Sequence, residues 1–267
     1  MVNHLELGPI DTPITLFGGP YSNLQAMLAL QNAVHGTAIC TGDVVAYCAQ
    51  PAETVRVIRQ MGCVVVAGNC EKQLAAGAGD CGCGFADGSA CDVLSRGWYA
   101  FASTQIRAPD RQWMRNLPDI ATFSHHGQRY AVIHGGYTNV SRFIWPTSPR
   151  SVFDEEIAAI QARVGPVDGV IAGHCGIAFS RQAGGVQWIN AGVIGMPANN
   201  GAQHTAYAEL RAGEIEFFQL AYDSAHAAEA MVRAGLTQGY DRALLTGYWP
   251  SEDVLPPGLR RGAPASG

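Results

Sequence analysis

The sequence predicts an α/β fold of two packed β-sheets with helices outside, and three observations carry that reading. Short apolar runs alternate with helix-like stretches through the first half, the pattern of βαβ units and parallel strands. Most of these runs end in a polar, glycine-bearing turn, and ligands bind at such carboxyl ends of strands. In the second half, glycine turns separate shorter strands, which suits a more antiparallel second sheet. The 267 residues are 48% apolar and 15% charged, enough for a sizeable core and incompatible with disorder over most of the chain.

The first strand is Ile14–Phe17, and Ser22-Asn23 then caps a helix that puts Leu24, Met27 and Leu28 on one face. Thr37–Cys40 reads as a second strand, 52–61 as a helix and 63–66 as a third, fully apolar strand. Their turns are Gly18-Gly19-Pro20-Tyr21, Gly42-Asp43 and Gly68-Asn69-Cys70-Glu71. A Cys- and Gly-rich stretch at about 75–91 has no apolar period and reads as an ordered insertion loop, with helices following at 91–103 and 110–115. The strand at 129–133 runs into His134-Gly135-Gly136, and Gly169–Ala172 runs into Gly173-His174-Cys175-Gly176. Further strands are expected at 186–189, 205–210 and 215–220, and a helix at 225–233. A single domain over 1–250 and a frayed, Pro-rich tail over 251–267 complete the expectation.

The charge sum, 17 minus 22, is -5, so a broad basic surface for nucleic acid is not expected. No apolar run reaches the roughly 18 residues of a membrane span. The start, Met1 to Glu6, lacks the basic and apolar regions of a signal peptide, and the expected compartment is the cytoplasm. There the eight cysteines are expected to stay reduced, each serving packing, metal binding or reactivity. A homo-oligomer is compatible with this composition.

Four strand-end turns carry ligands for a hard or borderline divalent metal: Asp43, Asn69, His134 and His174. Singly, each is an ordinary turn residue or hydrogen-bonded histidine. Together they follow one grammar, and a carboxylate, an amide oxygen and two imidazoles suit Fe, Mn or Zn better than Ca or Mg.

The blocks Thr41-Gly42-Asp43, Ala67-Gly68-Asn69, Val132-Ile133-His134-Gly135-Gly136, Ala172-Gly173-His174 and Asn190-Ala191-Gly192-Val193 resemble, in order, those of calcineurin-like metallophosphoesterases. The likeness runs from about residue 14 to residue 220 and is greatest to the small bacterial branch called diadenosine-tetraphosphatase-like or phosphodiesterase-like. It implies a four-layer αββα sandwich of two mixed sheets, with a metal site at the ends of the central strands. Two departures stand out. The family's Asp-x-His is Gly19-Pro20-Tyr21, and its Gly-His-x-His is Gly173-His174-Cys175-Gly176. The three missing side chains serve one metal of the family's pair, whereas Asp43, Asn69, His134 and His174 match the ligands of the other. The resemblance therefore implies one divalent ion, or two if the second half-site is rebuilt from other residues.

Cysteine is the candidate for rebuilding. Cys70 stands where the family has a catalytic imidazole, Cys175 sits beside His174, and Cys81-Gly82-Cys83 and Cys91 follow soon after Asn69. Cys70 and Cys175 are accordingly candidate ligands, and Cys70, Asp43 and His134 candidate catalytic groups. Cys40 and Cys63 lie in apolar strands and read as packing. Tyr21 and Arg142 are candidate substrate contacts, Arg142 because its planar fork suits phosphate. His125-His126 reads as a solvent-facing pair at a hairpin. The expected function is metal-dependent hydrolysis of a small phosphoester or phosphodiester. The alternatives are a thiol-assisted metalloenzyme acting on a non-phosphate substrate, and a degenerate, non-catalytic metal- or ligand-binding protein.

Overall fold

The computed structural model describes residues 2–261. Its elements in chain order are β1 (His4–Pro9), β2 (Ile14–Phe17), α1 (Leu24–Ala33), β3 (Thr37–Cys40), α2 (Pro51–Gln60), β4 (Val64–Val65), α3 (Asn69–Ala76), α4 (Ala90–Gln105), α5 (Ala108–Arg115), β5 (Ile120–His125) and β6 (Gln128–Val132). They continue with α6 (Arg150–Val164), β7 (Gly169–Ala172), β8 (Phe179–Ala183), β9 (Val186–Asn190), β10 (Thr205–Arg211), β11 (Glu214–Leu220), α7 (Ser224–Arg233) and α8 (Tyr240–Thr246), with a short 3₁₀ turn at Pro257–Leu259.

Two mixed sheets form, ordered β1-β5-β6-β7-β9-β8 and β11-β10-β2-β3-β4. The four-layer expectation holds, and the two-residue period of the strands explains it. Ile14, Leu16 and Ile39 of one sheet meet Phe123, Val132 and Ile171 of the other in a core between the sheets. The alternate residues face outward. Ala131, Val170 and Trp188 pack on Phe153, Ile157 and Ile160 of α6. Phe17, Ala38 and Cys40 pack on Met27 and Leu30 of α1, within a larger cluster that includes α2, α7 and α8.

The sheets do not divide between the chain halves as expected. The hairpin β10–β11 crosses over and pairs antiparallel with β2, Ala208 opposite Leu16, because Ala208 and Leu210 complete the inter-sheet core. Strand β4 is shorter than the predicted 63–66, and Asn69 opens helix α3 instead of lying in a turn. The segment 251–261, expected to fray, packs onto the body: Leu255 is buried, and Glu252 accepts hydrogen bonds from Asn199 and Arg261. The same expectation for 262–267 falls outside the described residues. Among the described residues no helix is long and apolar enough to cross a membrane.

Strands β2, β3 and β4 run parallel to one another, as do β6, β7 and β9, so two sets of carboxyl ends meet at one edge. A parallel bridge between Gly18 and Val193 ties the sheets together there. Asn23 reinforces this seam. Its Oδ1 accepts from the Ala26 N–H at the start of α1, and its Nδ2 donates to the Gly195 carbonyl, 172 residues away. Asn23→Ala removes both the cap and the cross-link. Its expected cost is about 1–3 kcal/mol of unfolding free energy, read by denaturant titration.

Candidate active site

The four expected ligands meet from three loops and the start of one helix, each following a strand. Asp43 sits at φ +54° after β3, Asn69 opens α3 after β4, His134 follows β6, and His174 sits at φ +62° after β7. All four are buried. Among the described residues, four of the eight non-glycine residues in the left-handed region, Tyr21, Asp43, Tyr47 and His174, belong to these loops or to the pocket beside them. Strain of this kind concentrates where function requires a fixed geometry.

The loops are held by buried carboxylates that the sequence reading passed over. Glu71 accepts hydrogen bonds from the backbone N–H groups of Asp43 (2.8 Å), Val44 (2.9 Å) and Gly68 (2.9 Å). Burial, then the charge of Asp43, push its carboxyl pKa up, and the N–H donors work the other way. Gly68 must be glycine, because a Cβ there would run into Asp43 Oδ1. Glu156, fully buried on α6, does the same for the loop after His134 by accepting from the Tyr137 and Thr138 N–H groups. The available signal for α6 was the spacing of Phe153, Ile157 and Ile160, with Glu156 on the same face.

The orientation of the ligands follows from their other hydrogen bonds. His134 Nδ1 lies 2.6 Å from the Thr41 carbonyl, which can only accept, so this nitrogen carries a proton. Asn69 Nδ2 donates to the Cys81 carbonyl at 2.9 Å, which turns Oδ1 toward His134. His134 Nε2 then faces three electron-rich atoms: Asn69 Oδ1 at 3.1 Å, His174 Nδ1 at 3.0 Å and Asp43 Oδ2 at 3.2 Å. Protons can bridge such atoms only in pairs, whereas one cation meets all four. Atoms bound at about 2.1 Å to a single ion stand about 3.0–3.4 Å apart; the three distances from His134 Nε2 lie in this range and His174 Nδ1 to Asp43 Oδ2, at 3.8 Å, lies just outside it, so the donor set is close to the spacing of a divalent metal's ligands. The free side chains respond to this crowding. Burial opposes the Asp43 anion, but the two imidazoles outweigh it and hold its carboxyl well below the usual carboxylate range. Burial likewise opposes a proton on His134, but Asp43 prevails and raises its pKa, while burial dominates at His174 and lowers it.

A Cβ on Gly19 would lie 2.5 Å from the Tyr21 ring and 2.7 Å from Val193, so the tyrosine ring occupies the space into which a side chain at position 19 would extend. Tyr21 and His174 line one small cleft of about 50 Å³, together with Phe143, Gly176, Tyr240 and Trp249.

Other expected participants lie elsewhere. Among the described residues the metal-competent cluster here is Asp43, His134 and His174, and no cysteine sulfur joins it. The buried Cys70 sulfur neighbours Asn69 Nδ2 at 3.5 Å and does not line the cleft. Burial, reinforced by Asp43, pushes its thiol well up. Cys175 borders the cleft, yet its sulfur accepts from Asn190 Nδ2 at 3.2 Å, and burial pushes its pKa up to about 12. The expectation of reduced thiols is corrected at one pair, since Cys81 and Cys83 form a disulfide beside Asn69. Arg142 is no phosphate clamp: its guanidinium is taken by Glu155 (2.8 Å) and Glu156 (2.7 Å). His125 is corrected too, being fully buried with Nδ1 2.6 Å from the Ile10 carbonyl, and only His126 is exposed. Asp11, His125 and His126 make a second cluster, at the opposite end of the sheet from His134, because β5 and β6 are antiparallel.

The sequence matches the model of the calcineurin-like phosphoesterase superfamily domain over residues 22–213. The chain belongs to this superfamily and is a phosphoester hydrolase in the general sense. A metallophosphoesterase from Sphaerobacter thermophilus has the same fold (TM-score 0.68, 19% identity, covering 89% of this chain and 100% of that one). So does the hypothetical protein PH1004 from Pyrococcus horikoshii OT3 (TM-score 0.73, 15% identity, 88% and 98% covered). No protein of curated function matches the sequence.

Two outcomes follow. Glu71→Ala strands three buried N–H donors and is expected to cost on the order of 3 kcal/mol or more, seen as a lower melting temperature. With the disulfide intact, six thiols should titrate with a colorimetric thiol reagent in denaturant, and eight after reduction. In the native protein at pH 8 the buried thiols should react slowly.

Proposed function

We propose that the chain hydrolyses a small phosphoester at a centre of one divalent ion, Fe, Mn or Zn, held by Asp43, Asn69, His134 and His174. The observation that carries this reading is the convergence of four electron-rich atoms while the Tyr21 ring occupies the space beside Gly19. A bound ion supplies positive charge to the phosphoryl oxygen and lowers the pKa of a water to about 7. The protein's part is positioning. Thr41 fixes the His134 ring, the Cys81 carbonyl fixes Asn69, and the Cys70 N–H donates to Asp43 Oδ1 at 3.2 Å, leaving Oδ2 toward the imidazoles. Tyr21 borders the cleft beside His174, and burial raises its pKa well up, so its hydroxyl stays protonated and available as a hydrogen-bond donor to substrate.

Elemental analysis of protein purified without chelator should find about one transition-metal ion per chain. His134→Ala and His174→Ala should each lose the metal and lower kcat/KM on aryl phosphomonoesters and diesters by more than the 10- to 100-fold that even an outer partner costs. Cys70→Ala and Cys175→Ala should keep the metal. Retention of metal and turnover by both histidine variants would refute the assignment.

A further inference from the structure

We infer that Asp11, His125 and His126 form a second metal-binding site, at the end of the sheets farthest from the candidate active site, and that it takes a late first-row divalent ion such as Zn²⁺, Ni²⁺ or Cu²⁺. Each of the three residues offers a ligand atom, and these atoms lie within 4.8 Å of one another. They come from two loops that are distant in the chain. Asp11 lies in the crossover from β1 to β2, which passes from one sheet to the other, and His125 and His126 lie at the hairpin between β5 and β6.

The His125 ring has one nitrogen committed and one free. It is fully buried, and its Nδ1 lies 2.6 Å from the Ile10 carbonyl, which can only accept, so the proton sits on Nδ1 and Nε2 carries the lone pair. That Nε2 is buried too, and no donor among the described residues meets it. A buried acceptor with nothing to accept from is costly, and a cation relieves the cost. The His126 ring stands next to it, 4.6 Å away between centroids and turned by 89°.

The backbone holds the other two residues at the same corner. His125 pairs with Gln128, so His126 and Gly127 are the two turn residues of the hairpin, at φ +48° and +79°. Such a turn favours Asn-Gly, and nothing in its geometry calls for an imidazole. Asp11 Oδ1 accepts the His126 N–H at 2.8 Å, which brings the carboxylate to the hairpin and leaves Oδ2 for a ligand. This hydrogen bond accounts for Asp11 but for neither imidazole. Two imidazoles and a carboxylate suit Zn²⁺, Ni²⁺ or Cu²⁺ better than Ca²⁺ or Mg²⁺, and three protein ligands leave a position for water. Asp11 and His126 are exposed, so this ion exchanges with solvent more readily than one at the buried cluster. When bound, it ties the crossover between the sheets to the β5–β6 hairpin, and an ion that binds only the folded chain stabilises it.

The test titrates Zn²⁺ into the full-length, chelator-treated His134→Ala protein, in which the other cluster is broken, and counts bound ion by equilibrium dialysis. About one Zn²⁺ per chain should bind and raise the melting temperature. Adding His126→Asn, which suits the left-handed turn, or Asp11→Asn, which keeps the acceptor for the His126 N–H, should each weaken binding more than about tenfold and remove the thermal shift. Equal Zn²⁺ binding with and without these two changes, or no bound Zn²⁺, would overturn the inference. If His134→Ala folds poorly, NMR of the wild-type chain decides. Cu²⁺ added beyond the first equivalent should then broaden the backbone amides of His126 and Gly127, and unaltered signals there refute the site. Neither outcome bears on the phosphoesterase reading, which depends on Asp43, Asn69, His134 and His174 alone.

Discussion

The carboxylate of Glu71 is the constraint on which the rest of the site depends. By accepting three backbone N–H groups it binds the loop after β3 to the loop after β4, so Asp43 and Asn69 are placed by one buried anion. This is an expensive device, since burial disfavours the charge, and it is stable only because every donor is aimed at it. Glu156 repeats the solution on the other sheet, organising the loop after His134. Two buried carboxylates therefore set the relative positions of groups that follow three strands.

The sheets contribute through direction. Parallel strands bring their carboxyl ends to the same edge, and two such sets facing each other across an apolar core create one seam along which loops from both can meet. The backbone is packed so closely there that Gly68 has no room for a side chain. Asp43 and His174 are left-handed because the chain turns sharply after β3 and β7 to present their side chains back across this seam.

What was legible in the sequence is what lies within a few residues of a strand. Ile14–Phe17, Thr37–Cys40 and Gly169–Ala172 are apolar and end in glycine, so their turns, and with them Asp43 and His174, stood out. Strand β1 did not, because it is an edge strand whose residues are mostly half-exposed and carry no apolar run. Arg142 looked free because its partners, Glu155 and Glu156, arrive from a helix that was not predicted. His125 looked exposed because its neighbours, Ile10 and Asp11, are more than a hundred residues away in the chain. The grouping of β10 and β11 with the first sheet is likewise a long-range choice, decided by which inward faces remained to be covered.

The stretch matched by the superfamily model ends at residue 213, yet Tyr240, Trp249, Ser251 and Val254 line the cleft. The shared architecture thus carries the candidate metal ligands, while one wall of the neighbouring pocket comes from α8 and the segment after it. Changes in that C-terminal segment can reshape what fits beside the cluster without moving any of Asp43, Asn69, His134 or His174. The candidate ligands and this part of the cleft's lining therefore come from separate parts of the chain.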